Sequence, residues 1–210
     1  MFPKIQQICS DLIQRFDSIS PERKATLVKI SDYMQMKLDE KLPVQLMYVC
    51  THNSRRSHFG QIWSAVAAEY FSIPHVRTFS GGTEATSFNP NAIQALKDSG
   101  FEIFTAESTN DNPRYIVQFG ENQETICFSK VYDDSANPST EFAAIMTCSD
   151  AEENCPFIPG VELRVATTYE DPKKFDDTAL QSEKYSERSN QIAMEILYVF
   201  SILKKSHDNR

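Results

Sequence analysis

Cys50 and Arg56 stand with five residues between them in VCTHNSRRSHFG (residues 49–60), and Ser57 follows directly. A cysteine thiolate is a nucleophile, and a guanidinium offers a planar fork that grips two oxygens of a tetrahedral anion. Thr51, His52, Asn53, Ser54 and Arg55 fill the interval. Their backbone N–H groups can converge on the same anion, Ser57 can donate a hydrogen bond to the Cys50 sulfur, and the Asn53 amide can brace the loop. This is chemistry for covalent attack on an oxyanion. Two further cysteines, Cys148 and Cys155, lie in MTCSDAEENCPF (146–157). Alone such a pair is more often incidental; near a cysteine–arginine loop it means more. Zinc sites prefer closer cysteine pairs and a second ligand pair, and His52 has no companion at a ligand spacing, so neither metal nor cofactor is expected. Asp171 precedes a proline in YEDPKKFDD (169–177). Such a proline stiffens a surface loop, but an Asp-Pro pair alone more often opens a helix or turn.

The elements around these residues must position them. VQLMYV (44–49) is an unbroken apolar run that predicts a buried strand, and SHFGQIWSAVAAEYF (57–71) predicts a helix. Strand, loop and helix N-terminus in that order direct the positive end of a helix at the loop. HVRTFS (75–80) predicts a second strand, Asn89-Pro90 opens a helix that Gly100 closes, and FEIF (101–104) is a short third run. YIVQF and ETICFSK flank Gly120-Glu121-Asn122, a β-hairpin signature over 113–131. EFAAIMTC (141–148) and VELRVATTY (161–169) are further strands, and a final helix runs over about 178–205. The alternation implies a three-layer α/β fold, with a mainly parallel sheet of about four strands and helices on both faces. Ligands in such sheets sit beyond the carboxyl ends of the strands. Cys50 and Cys148 stand at such ends and Asp171 follows another, so three groups distant in sequence are expected at one edge.

Upstream, residues 4–17 place Ile5, Ile8, Cys9, Leu12, Ile13 and Phe16 at helical spacing. Ser20-Pro21 caps a second helix to about Asp39, with Leu27, Ile30, Met34 and Leu38 on one stripe. These helices read as a hairpin extension over 1–42, before a catalytic domain at 43–206 with an insertion at about 105–140. Their stripes suit a packing appendage or a homodimer surface. Cys9 and Cys127 fall on apolar faces and read as core thiols.

The chain of 210 residues carries a net charge of −8, which argues against a nucleic-acid or anionic-membrane surface. No run approaches the ~18 apolar residues of a membrane span, and MFPKIQQICSDLIQRF lacks the pattern of a signal peptide. Five cysteines, an odd set in a chain this long, argue against a secreted disulfide framework, so a cytoplasmic protein is expected.

CTHNSRRS resembles the phosphate-binding loop of the low-molecular-weight protein tyrosine phosphatase family, including its thioredoxin-coupled arsenate reductases. The likeness runs from about residue 44 to 205 and takes in SGGT (80–83), NPNAIQALKDSGFEI (89–103) and Asp171-Pro172. The resemblance implies that Cys50 is the nucleophile, Arg56 the oxyanion clamp, residues 51–57 the anion cradle and Asp171 the general acid. CSDAEENCP resembles the redox segment of the reductases, which implies that Cys148 and Cys155 relay a disulfide outward to thioredoxin while arsenate becomes arsenite. The alternative is a phosphatase that hydrolyses phosphotyrosine or small phosphoesters through a phosphocysteine; a non-enzymatic anion- or partner-binding protein is a third reading. The chain departs from the family in three places. His52 stands where glycine is usual. Arg55 replaces a cysteine common in the reductases, and either adds positive potential at the mouth or is a solvated surface arginine. Lys173 and Lys174 follow Asp-Pro where the phosphatases place a tyrosine wall.

Overall fold

The structure is a computed structural model that describes residues 1–107, 111–154 and 157–204. Its centre is a parallel sheet in which β1 (Val44–Cys50) lies between β2 (Val76–Gly82) and β6 (Phe142–Met146), with β7 (Val161–Ala166) outside β6. The inner strands are apolar almost throughout because both faces are covered. Register aligns the strand ends: Cys50 pairs with Gly82, and Val49 with Met146.

The two faces are covered unequally. Val44, Leu46, Tyr48, Ala143, Ile145 and Val165 face the larger core. It is shared with α1 (Pro3–Ile13), α2 (Pro21–Asp39), α3 (Arg56–Tyr70), α4 (Pro90–Asp98) and α6 (Gln181–Ser201). Met47, Val49, Ala144 and Met146 face a smaller core under the short α5 (Ser149–Asn154) and the loops at Tyr132 and Ile158. The right-handed crossover rule explains the split: β1 to β2 and β6 to β7 step in opposite directions across the sheet, so α3 and α5 take opposite faces.

The hairpin expected over 113–131 is β4 (Arg114–Gly120) and β5 (Gln123–Cys127). The FEIF run adds to it as β3 (Glu102–Glu107), so the insertion is a three-stranded antiparallel sheet that begins earlier than expected. Ile103, Val117 and Cys127 turn inward to the larger core. No helix among the described residues is long and apolar enough to cross a membrane.

The first helix stops at Ile13, short of the expected end, and a 3₁₀ turn at Phe16–Ser18 leads to α2. Ser20 Oγ accepts a bond from Arg23 N and caps α2 as its sequence predicts. The apolar stripes of both helices lie inside this chain. Ile5, Cys9, Leu12, Leu27, Ile30 and Met34 share one core with Trp63, Tyr185 and Leu197, and Ser31 Oγ donates to the Val199 carbonyl at 2.8 Å. The Phe2 N–H also donates to the Phe119 carbonyl at 2.7 Å, which ties the start of α1 to the inserted sheet.

Burial of one large aliphatic side chain contributes about 1.5–3 kcal/mol, and total stability is about 5–15 kcal/mol. Deletion of residues 1–40 removes several such side chains and exposes their partners on α6. The expected outcome is a chain with no cooperative thermal transition by circular dichroism. A truncated chain that melts within a few degrees of the full one would contradict this.

Candidate active site

Cys50 ends β1 and is buried, with Sγ 3.0 Å from Ser57 Oγ. Asn53 Nδ2 donates to the same hydroxyl at 2.8 Å, and Asn53 Oδ1 accepts from Lys130 N at 2.9 Å. The second bond fixes which end of the amide is which, since a backbone N–H can only donate. Ser57 Oγ therefore accepts a hydrogen bond from Asn53 and is free to donate one to the Cys50 sulfur. Asn53 adopts left-handed backbone (φ 42°), a conformation that asparagine tolerates better than most residues.

That assignment settles the place of His52. The left-handed turn of the loop falls on Asn53, and His52 is absent from the positive-φ residues, so its position does not require glycine. The His52 side chain is part-exposed, with Nδ1 3.2 Å from a Glu84 carboxylate oxygen. Its carbonyl accepts from Thr86 Oγ1 at 3.1 Å and Ser129 Oγ at 3.0 Å, which clamps the loop from behind. Thr51 O accepts from Glu84 N, and Ser54 Oγ donates to Ser87 O at 2.7 Å. Gly82 in SGGT is required by close approach, because a Cβ there would lie 2.7 Å from Asn53 N and from Thr51 O.

Arg56 opens α3. Its Nη1 donates to the Tyr169 carbonyl at 2.7 Å, its Nη2 donates to Asp171 Oδ2 at 2.7 Å, and its buried Nε has no partner among the described residues. Asp171 Oδ1 accepts from Lys173 N at 3.0 Å, so the Asp-Pro pair both caps the 3₁₀ turn Pro172–Phe175 and meets the arginine. Arg55 is not a solvated surface arginine. It is 9% exposed, its Nε donates to the Tyr185 hydroxyl at 2.9 Å, and its Nη2 lies 3.7 Å from Asp176. Tyr185 donates onward to Asp176 Oδ1 at 2.7 Å; burial and that carboxylate push its pKa up to about 12, so it stays a donor.

Cys148 follows β6 and is also buried. Its Sγ is 3.4 Å from Thr51 Oγ1 and accepts from Ala151 N at 3.4 Å, so the thiol caps the first turn of α5. Cys155 lies outside the described residues. Cys50, Thr51, Arg55, Arg56, Asp150 and Asp171 help line a cavity of about 210 Å³, and no Phe, Tyr or Trp is among its described lining residues. Cys9 and Cys127 are placed elsewhere in the core, and burial pushes both thiols up to about 12, which suits inert packing.

Sequence reasoning missed His58, Ser129, Lys130 and Tyr185 as supports of the loop. None is marked for a role by the motif or run it stands in or beside, and their roles come from distant partners. His58 is fully buried behind the loop, with Nδ1 3.3 Å from Ser80 Oγ and its ring 4.1 Å from that of Phe88. Burial, helped by the nearby Lys130 ammonium, holds its pKa well below the usual histidine range.

A parallel sheet that hands a cysteine and an arginine to one anion-sized cavity is what the resemblance to the low-molecular-weight phosphatases and related arsenate reductases implies, and the chain is similar in sequence to arsenate reductases. No family model matches it. Its sequence relatives include arsenate reductase 2 of Staphylococcus epidermidis, 27% identical over 128 residues that cover 60% of this chain and 77% of that protein. The arsenate reductase of Bacillus licheniformis is 26% identical over 141 residues, 67% of this chain and 81% of the relative. A solved low-molecular-weight phosphotyrosine phosphatase from Vibrio cholerae aligns with a TM-score of 0.48 at 15% identity, over 75% of this chain and 94% of that one.

Two outcomes are expected from the loop supports. Asn53→Ala leaves Ser57 Oγ and the Lys130 N–H short of a buried partner and strains a left-handed position, so urea unfolding should show a loss of about 2–4 kcal/mol. A loss within about 0.5 kcal/mol of zero, the range of ordinary surface substitutions, would remove the amide from its bracing role. His58 is held neutral in the fold but takes up a proton in the unfolded chain below its ordinary pKa of about 6.5. The unfolded state then binds more protons, so stability falls as pH drops through that range. Urea midpoints at pH 7.5 and 5.5 should converge more closely in His58→Gln than in wild type. Equal slopes in the two proteins would show that His58 does not contribute.

Proposed function

We propose that the protein is an arsenate reductase that couples the Cys50 loop to a Cys148–Cys155 disulfide relay. The observation that supports this most is the Cys148 thiol, buried at the end of the strand beside β1 and within 3.4 Å of the hydroxyl of Thr51, the residue next to Cys50. Hydrolysis of a phosphocysteine needs water and not a second thiol, whereas a disulfide relay requires one. The small polar cavity adds support, because none of its described lining residues is an aromatic that could wall a flat phenolic ester. The named relatives are arsenate reductases.

In this reading the Cys50 thiolate, with Ser57 donating to its sulfur, bonds to arsenic(V) while one arsenate oxygen departs as water with a proton from Asp171. Arg56 and the loop amides hold the remaining oxygens as charge builds on them. The Cys148 thiolate then attacks the Cys50 sulfur. The new S–S bond displaces arsenic, which keeps the electron pair of the broken S–As bond, falls from As(V) to As(III) and leaves as arsenite. Cys155 attacks Cys148, releases Cys50 as a thiolate and leaves the disulfide on the 148–155 segment. An external dithiol protein of the thioredoxin type reduces it.

Three serine variants test this scheme. Cys50→Ser should abolish arsenate reduction and any hydrolysis of aryl phosphates, with losses beyond the ~10²-fold expected of a catalytic group. Cys148→Ser and Cys155→Ser should abolish only the reduction, since ester hydrolysis needs just the loop, Arg56 and Asp171. Mass mapping of wild type after arsenate should find a Cys148–Cys155 disulfide. If both variants reduce arsenate at the wild-type rate with a thioredoxin system, the relay is wrong and the phosphatase reading takes its place.

A further inference from the structure

The segment between β7 and the 3₁₀ turn carries two groups of the site: the Tyr169 carbonyl that accepts from Arg56, and Asp171 two residues on. One side of this segment is held by the sheet, where Thr167 N donates to Met146 O at 2.9 Å and Tyr169 N to Thr147 O at 3.1 Å. The other side is gripped from α2. Arg23 Nη2 donates to the Thr167 carbonyl at 3.0 Å and its Nε to Glu195 Oε2 at 2.9 Å. The Tyr169 hydroxyl donates to the same Glu195 oxygen at 2.7 Å, and the Arg23 guanidinium carbon lies 4.8 Å from the centre of the Tyr169 ring. Glu195 is 3% exposed, so these bonds form away from water, where a charge left without its partner is costly.

We propose that Arg23 is a positioning residue for the site: through Thr167, Tyr169 and Glu195 it fixes the segment that anchors Arg56 and presents Asp171. The proposal rests on the reading of the Cys50 loop as the reaction centre. Arg23 lies outside residues 44–205, over which the loop's resemblance runs, and no motif marks it. Its chemistry suits the task because a rigid fork sends one donor to a carbonyl and another to a carboxylate, whereas the single ammonium of lysine cannot hold both in fixed geometry. The N-terminal helices then set catalytic geometry as well as filling the core.

The test uses the full chain with Arg23→Met, which keeps much of the stem's packing, and a thermal melt to confirm that it folds. Aryl phosphates of graded phenol pKa report on Asp171, because an acid matters most for poor leaving groups. kcat should fall by about tenfold or more for the poorest leaving groups and by about twofold for the best, a fraction of the ~10²–10⁴-fold that general-acid catalysis contributes. Arg23→Met combined with Asp171→Asn should be within about twofold of Asp171→Asn alone, the non-additivity of residues that act through one another. Backbone amide exchange over 167–171 should accelerate by about tenfold in Arg23→Met, as for a segment released to local opening. A uniform loss across the series with an additive double variant, or unchanged exchange, overturns the proposal. If wild type turns over neither arsenate nor aryl phosphate, the reading of the reaction fails, and exchange alone decides for or against the anchor. Should Arg23→Met not fold, Arg23→Lys serves with the same expected directions.

Discussion

The loop between β1 and α3 has to reverse direction within a few residues, and Asn53 carries that turn. Left-handed backbone costs an L-residue about 1–2 kcal/mol, and the two buried bonds of the Asn53 amide, each worth about 1 kcal/mol, offset it. One of those bonds orients the Ser57 hydroxyl and with it the proton aimed at Cys50. The other reaches Lys130 and makes the exit of the inserted sheet part of the loop's support. Gly82 completes the arrangement by lacking a side chain where Thr51 and Asn53 approach. Strand order, insertion and glycine all serve one curvature.

The charges around that curvature are balanced before any ligand arrives. Arg56 meets Asp171, and Arg55 lies between Asp171 and Asp176 with Tyr185 bridging. A chain of net charge −8 exerts no long-range pull on an anion, so capture falls to these local donors. In the proposed reaction an oxyanion and the Asp171 carboxylate compete for the same guanidinium nitrogen. A proton on the carboxyl relieves that competition, and it is the proton a departing oxygen needs.

Much of this was legible in the sequence because central parallel strands are written as unbroken apolar runs. VQLMYV and EFAAIMTC could be placed, and with them the cysteines at their ends. The Asp-Pro pair after a third strand could be placed by the same logic. Burial of Arg55 could not be read, since its partners Tyr185 and Asp176 come from the far end of the chain and an arginine in a loop has the same composition wet or dry. FEIF reads the same whether it extends the parallel sheet or joins a hairpin; the pairing of β3 with β4 decides. The stripes on α1 and α2 are equally silent about whether they face this chain or another copy. His58, a polar residue early in a helix, is buried against Phe88 and Ser80, which come from distant positions in the chain.

The contact between Ala151 N and the Cys148 sulfur joins two properties usually measured apart. Helix α5 has six residues, too few to persist without help from its ends, and one of its free N–H groups is satisfied by a thiol rather than by a hydroxyl or carboxylate. Any agent that claims this sulfur, whether an alkylating reagent, a mercurial or another cysteine, competes with the helix for it. By reciprocity, whatever loosens α5 makes the sulfur easier to claim. The covalent state of one atom and the order of six residues are therefore a single equilibrium, observable at either end: as thiol reactivity, or as the helical signal of residues 149–154.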